Sequence, residues 1–185
     1  MPDVAVIGGG PAGLSAALFT AKNGLDTVVF DTDETWMHKA HLFNYLGIES
    51  MDGSAFMDLA REQIEEYGVD RHQGEEVSRV TDAPDGYEIE TDDGEYEATY
   101  VVLATGTDTD LAEQLGCDIA ADETIDVNLS METDVPDVYA TGAMVRDQEW
   151  QAIISAGDGG AAALDILSTE KGEHFHDFDT PADAE

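Results

Sequence analysis

Gly8-Gly9-Gly10-Pro11-Ala12-Gly13 sets glycines at GxGxxG spacing, and Asp31 follows at the distance of one helix and one strand. Each of these residue types has a physical task. Gly8 permits a tight turn, Gly10 leaves room for a diphosphate against the backbone, and Gly13 lets a helix pack closely on a strand. The free amides of the helix start, reinforced by the helix dipole, favour an anion. Asp31 is placed to accept hydrogen bonds from ribose hydroxyls, and an acid there disfavours a 2′-phosphate. The chemistry this predicts is capture of an adenine dinucleotide through its diphosphate. A second match, Gly157-Asp158-Gly159-Gly160-Ala161-Ala162, follows a helical stretch and not a strand. Those glycines read instead as positions where a helix backbone closely approaches a neighbour.

Other reactive residue types are sparse. His38 and His41 lie between the second strand and Asn44. They have the chemistry to bond a phosphate or move a proton, and equally that of ordinary loop histidines. His174-Phe175-His176-Asp177 with Asp179 carries ligand types suited to a divalent metal, but on a polar tail without a rigid element no metal site is expected. Cys117 is the one cysteine. It excludes a CxxC pair and an internal disulfide, and reads as a small core residue.

The elements that must position the fingerprint are legible around it. Asp3–Ile7 holds a short apolar run ending at glycine, a buried strand. Pro11 is admissible in a first helical turn, and Leu14–Ala21 is rich in helix formers, closed by Asn23-Gly24. Thr27–Phe30 is a second strand, completing a βαβ unit with parallel pairing. Gly53–Tyr67 has helical periodicity. Tyr87–Thr91 and Tyr96–Tyr100 alternate about an Asp93-Gly94 turn, an antiparallel hairpin. Tyr100–Ala104 and Val138–Ala140 are further buried strands, and Trp150–Leu167 is the last helix. The expected fold is α/β: a Rossmann-like domain with a central parallel sheet and a small antiparallel β-meander from about Glu76 to Tyr100. It spans residues 3–168, with 169–185 a polar, frayed C-terminal tail.

Composition narrows the setting. The 185 residues include 7 Lys+Arg against 42 Asp+Glu, a formal net charge of −35, with 42% hydrophobic residues. That apolar share is ordinary for a globular domain. Seven scattered basic residues cannot form a phosphate-backbone surface, so nucleic acid is excluded as a partner, and an anionic membrane is disfavoured. No apolar run reaches the ~18–20 residues of a membrane span, and Met1-Pro2-Asp3 lacks a basic leader. A cytoplasmic protein is expected. So much like charge is tolerable only under strong screening, which predicts a very salty host.

Gly8–Gly13, Asn44-Tyr45-Leu46-Gly47, Ala104-Thr105-Gly106 and Val138-Tyr139-Ala140-Thr141-Gly142, followed by Gln151-Ala152, resemble in that order the FAD domain of thioredoxin reductases. The resemblance implies FAD as cofactor. It puts Gly8, Gly10, Pro11, Ala12 and Gly13 around the diphosphate, Asp31 on the adenosine ribose and Asn44 near the flavin. Val77 would meet adenine through its backbone. Ala104, Thr105 and Gly106 would line the cofactor, while Gly142, Gln151 and Ala152 would flank the ribityl chain and isoalloxazine.

The departures are specific. Ala143 stands where the family has an Asp on the ribityl–phosphate region, a loss of about 1.5–3 kcal/mol in a charge-assisted hydrogen bond. Trp150 stands near the flavin where the family usually has Arg; an indole there stacks on a ring system, shields it, or is buried for packing. Leu46 replaces a Pro. The family inserts its NADPH domain, with the CxxC, between the Ala-Thr-Gly and Gly-Asp segments, and about 32 residues, Thr107–Val138, stand there instead. That is too short for a second dinucleotide fold.

Two functions follow from the resemblance. One is an FAD-dependent oxidoreductase, fed by NAD(P)H directly or by a separate electron-donor protein, without the dithiol that thioredoxin reduction requires. The alternative is a non-catalytic module for FAD or an adenine dinucleotide, a sensor or partner subunit. An NAD-only dehydrogenase is a weaker third reading. A homodimer is implied by analogy with the family. The charge predicts that the thermal midpoint rises steeply between about 0.1 M and about 2 M KCl, over which the screening length falls from about 10 Å to under 3 Å; a midpoint independent of salt contradicts this.

Overall fold

The computed structural model describes residues 1–180. In chain order the elements are β1 (Val4–Ile7), α1 (Pro11–Lys22), β2 (Thr27–Asp31), the short pair β3 (His41–Leu42) and β4 (Met51–Asp52), α2 (Gly53–Glu66), β5 (Asp70–Gln73), β6 (Val77–Ala83), β7 (Gly86–Thr91), β8 (Glu95–Ala98), β9 (Tyr100–Leu103), α3 (Asp110–Leu115), β10 (Val138–Ala140) and α4 (Ala152–Lys171). Single 3₁₀ turns occupy Trp36–Lys39 and Gly142–Val145.

Five strands form a parallel sheet in the order β10-β9-β1-β2-β5, and β6-β7-β8 form a separate antiparallel meander. Strands of a parallel sheet are covered on both faces, which is why β1, β2, β9 and β10 are buried at every residue. On one face Val4, Val6, Val29, Val102 and Tyr139 pack against Leu14, Ala16 and Ala17 of α1 and Ala162 and Ile166 of α4. On the other, Ala5, Ile7, Val28, Val101 and Leu103 pack against Val80, Tyr87 and Ile89 of the meander. The register sets Ile7 beside both Phe30 and Leu103, and Leu103 beside Ala140. Gly8, Ala104 and Thr141 therefore leave the sheet side by side at its carboxyl edge, where parallel α/β sheets bind ligands.

Helix limits follow local chemistry. Asp52 caps α2, its carboxylate accepting from the Ser54 amide at 2.9 Å. The last helix is longer than its sequence periodicity indicates: α4 runs to Lys171 and stops at Gly172, whose φ of 67° is the left-handed conformation glycine adopts without strain. The chain after it folds back rather than fraying. The Phe175 amide donates to Ser168 Oγ, and Asp177 and Asp179 both pair with Lys22 on α1. Residues 181–185 of the expected tail lie outside the described residues.

The segment between Gly106 and Val138 is integral to this fold. Leu111, Ala112, Cys117 and Ile125 are buried in the meander-side core. β5 is the strand that sequence pattern does not reveal: Asp70-Arg71-His72-Gln73 contains no apolar residue, as an edge strand permits. Its His72 nonetheless packs inward, 5.3 Å from the Phe30 ring and 5.2 Å from Tyr96. His72 Nδ1 contacts Glu75 at 2.6 Å and Nε2 contacts Asp70 at 3.2 Å. Burial pulls its pKa down, but the hydrogen bonds and charges of Glu75 and Asp70 outweigh that and raise it. A raised folded-state pKa adds stability below the unfolded value of about 6.5, and that stability is lost as pH rises through the folded value. His72→Gln is expected to flatten the decline of unfolding free energy above about pH 6.5, measured by urea unfolding in molar KCl; an unchanged pH profile contradicts the assignment.

Candidate functional site at the carboxyl edge of the sheet

The glycine turn is built by close approach. Gly8, at φ 115°, donates its amide to Phe30 O at 2.8 Å, and a methyl group added there would lie 2.2 Å from Ala104 O. A methyl on Gly13 would lie 1.9 Å from Gly8 O, so α1 can meet β1 only through glycine. Gly9, outside the fingerprint positions, is equally constrained: its added methyl would fall 2.0 Å from the Asp31 carboxyl carbon. Gly10 differs, with only Thr35 Oγ1 nearby at 3.6 Å. Its open side faces away from the packed protein, as a ligand-facing glycine must. Gly10 is the N-cap of α1, no side chain caps that end, and the first turn carries no acid. In a chain with 42 acids, this acid-free helix start leaves its unpaired amides to an anion.

Asp31 ends β2 directly beneath this turn, and its carboxylate is more engaged than the fingerprint suggests. It is 2% exposed. One oxygen accepts the Asp33 amide at 2.8 Å, and the other contacts Arg61 at 3.1 Å and Arg71 at 3.6 Å. An accessible acid at this edge, Asp33, is bonded to Arg61, His38 and Gln73. The Arg61 guanidinium, then His38, hold its carboxyl at about 2. Asp33, His38, Arg61, Arg71 and Gln73 line a polar cavity of about 540 Å³, whose wall also carries Ser54 and three acids of α2, Asp58, Glu62 and Glu65. Among the described residues Arg61 Nε and Arg71 Nε have no hydrogen-bond partner. Sequence reasoning overlooked this cluster, although it gathers two of the seven basic residues in the chain.

The other predicted residues fall into two groups. Gly142, at φ 74°, sits against α1: an added methyl would be 3.2 Å from Ala12 Cβ and 3.6 Å from Ser155 Oγ. Thr141 donates its amide to Leu103 O at 2.9 Å, which ties the Gly142-Ala143 turn to the Ala104-Thr105-Gly106 turn. Asn44 Nδ2 donates to Gln151 Oε1 at 2.7 Å across more than 100 residues of sequence, and Ala152 begins α4 directly behind. Trp150 is 45% exposed, and its ring meets that of Trp36 edge to face with centroids 6.0 Å apart. Val77 stands apart at the start of β6, its side chain in the meander-side core.

The remaining candidates have local partners. His38 bridges Asp33 and Ser54, and His41 contacts Ser50 at 2.9 Å. Asp177 and Asp179 face Lys22, and no metal-binding group of three or more ligands occurs among the described residues. Cys117 is buried, and burial raises its thiol pKa, the opposite of a reactive thiolate. The Gly157–Ala162 glycines lie inside α4, where Gly159 permits the approach to α1: a methyl there would be 2.0 Å from Ala12 O. No helix of the described residues is long and apolar enough to cross a membrane.

A nucleotide-binding α/β domain with this edge has a defined kinship. The sequence profile of the pyridine nucleotide-disulphide oxidoreductase family matches residues 2–52 and 41–160. The chain belongs to that family. It is 35% identical over 112 residues to thioredoxin reductase from Helicobacter pylori, covering 57% of this chain and 36% of that protein. It is 31% identical over 167 residues to dihydrolipoyl dehydrogenase from Haloferax volcanii, covering 85% of this chain and 33% of that protein. The chain thus spans about a third of the length of the curated relatives it matches. Among solved structures, a thioredoxin reductase from Gloeobacter violaceus aligns with a TM-score of 0.89 at 19% identity over 97% of this chain and 99% of that one. The thioredoxin reductase of T. acidophilum aligns with a TM-score of 0.85 at 19% identity over 92% of this chain and 99% of that one. The fold is therefore that of thioredoxin reductases.

The buried Arg61–Asp31 pair gives a direct check on the site's foundation. Removing one partner of a buried pair leaves an uncompensated charge. Arg61→Met is expected to lower the unfolding free energy by about 3 kcal/mol, read by urea unfolding in molar KCl. A loss below about 1 kcal/mol, the range of exposed pairs, contradicts the buried-pair assignment.

Proposed function

We propose that this chain is an FAD-binding domain acting as a flavin-dependent oxidoreductase. The observation that carries the reading is the uncapped, acid-free start of α1, set against β1 by glycines with no room for a side chain and open only at Gly10. The diphosphate rests on the amides of Gly10, Ala12 and Gly13; Gly8, whose own amide is bonded to Phe30 O, and Pro11, which has no N–H, shape the turn beneath it. Asp31, held by Arg61 and Arg71, fixes the adenosine end, with Asp33 the carboxylate open to a ribose there. Val77 offers its backbone to adenine. Ala104, Thr105 and Gly106 line the middle of the cofactor with Gly142 and Ala143, and Asn44, Trp150, Gln151 and Ala152 stand at the flavin end. Bound FAD would supply two-electron transfer; the protein's share is to bind it, orient it and limit water around it.

Electrons reach this site from NAD(P)H directly or from a separate donor protein, because residues 107–137 are a short segment that contributes Leu111, Ala112, Cys117 and Ile125 to the domain's own core, and the single Cys117 is buried. The same two facts, with Ala143, favour a second reading: a non-catalytic FAD or adenine-dinucleotide module, serving as sensor or partner subunit. A homodimer, a cytoplasmic location and a very salty host complete the proposal; the 7-to-42 imbalance of bases and acids motivates the last. One domain is proposed, expected over residues 3–168 and carried by α4 to Lys171.

Purification in molar salt followed by a visible spectrum, then anaerobic NADH or NADPH, separates the readings. Yellow protein that bleaches supports the oxidoreductase. Yellow protein that resists both donors leaves a protein-fed enzyme or a binder, and colourless protein that takes up no added FAD contradicts the FAD proposal. Ala143→Asp is expected to tighten FAD by tenfold or more, since restoring a charge-assisted hydrogen bond is worth about 1.5–3 kcal/mol. An unchanged Kd by titration at 450 nm would place residue 143 away from the cofactor.

A further inference from the structure

The chain has two tryptophans, and the fold brings them together at the flavin end of the proposed site. Trp36 opens the 3₁₀ turn after β2, and Trp150 precedes α4. Their rings meet edge to face with centroids 6.0 Å apart, yet they remain 68% and 45% exposed. Indoles dominate interior and interface energetics because of the apolar area they bury. Trp36 keeps about two thirds of its surface open and Trp150 nearly half, so the pair leaves apolar indole surface available to a ligand.

Trp150 is not loose. Its Nε1 donates to Arg146 O at 2.9 Å. Arg146 is in turn fixed by two hydrogen bonds to Asp158, at 3.2 Å from Nε and 2.5 Å from a terminal nitrogen. Asp158 is buried within α4. The next residue after Trp150 is Gln151, whose side chain is bonded to Asn44. Trp150 also shares the wall of a cavity of about 130 Å³ with Ala143 and Arg146. The indole is thus anchored through its nitrogen, beside both Ala143 and Gln151.

We propose that Trp150 stacks on the planar heteroaromatic ring of the bound flavin, that Trp36 is its edge neighbour, and that Arg146 and Asp158 are positioning residues that hold the indole. This rests on the FAD reading and adds the contact at the ring end of the cofactor. An indole in face contact donates an electron to photoexcited flavin and takes it back, which abolishes flavin emission; a phenyl ring stacks but cannot donate.

The test is flavin emission from FAD-loaded protein in molar KCl, with FAD content fixed by absorbance at 450 nm. Wild-type emission should be nearly abolished. Trp150→Phe should retain FAD and raise emission by tenfold or more. Trp36→Phe should raise it far less, and Asp158→Asn should raise it partially with FAD retained. Retained FAD with unchanged emission in Trp150→Phe overturns the assignment alone, as does full recovery in Trp36→Phe. If Trp150→Phe loses FAD, the wild-type emission lifetime decides: picosecond decay supports ring contact, and nanosecond decay overturns it. Wild-type protein that takes up no FAD overturns the underlying reading, and this assignment with it.

Discussion

The contact between Gly13 and the carbonyl of Gly8 is the constraint on which the site depends. With no room for a methyl group at 1.9 Å, α1 can begin where β1 ends only if both positions lack a side chain. That contact aims the first turn of α1 across the carboxyl edge of the sheet. Gly8 then leans on Ala104, Gly9 on Asp31, and Gly142 on Ala12, so three chain segments distant in sequence converge on one helix end. The rest of the domain holds this junction rigid. Central strands buried on both faces fix the register, and α4 is drawn onto α1 by Gly159.

Electrostatics favours an anion at this helix end, a property shared with the equally uncapped and acid-free start of α4; what sets α1 apart is its glycine junction with β1. A formal charge of −35 repels an anionic ligand from most directions. The first turn of α1 carries no acid, and the nearest buried carboxylate, Asp31, is countered by Arg61 and Arg71. Two of the seven basic residues face this carboxylate, Arg61 shared with Asp33 and Arg71 shared with Glu65. The cluster therefore offsets a repulsive charge beneath the proposed diphosphate position while keeping an acid, Asp33, at the accessible edge.

Much of this was legible in the sequence because the residues concerned answer to local rules. Apolar runs ending at Gly8, Thr105-Gly106 and Thr141-Gly142 read as buried parallel strands, and alternation about Asp93-Gly94 read as the meander. β5 was not legible, since an edge strand needs no apolar pattern, and Asp70-Arg71-His72-Gln73 has none. Nor was α3, only six residues long. At the site, fingerprint residues were found by spacing, whereas Arg61 on α2 and Arg71 on β5 reach Asp31 only through tertiary packing. The two-bond pair of Arg146 with Asp158 was hidden for the same reason. The contact of Gln151 with Asn44 came closer to view, because both belonged to motifs of one resembled family.

The central claim is that the amides opening α1 hold a diphosphate. The most direct measurement is a titration of ¹⁵N-labelled protein with FAD in molar KCl, followed by amide chemical shifts. The account predicts that Gly10, Ala12 and Gly13 move most, together with Gly142 beside them. Saturable FAD binding with those four amides unmoved, and the largest changes elsewhere on the sheet, would contradict it.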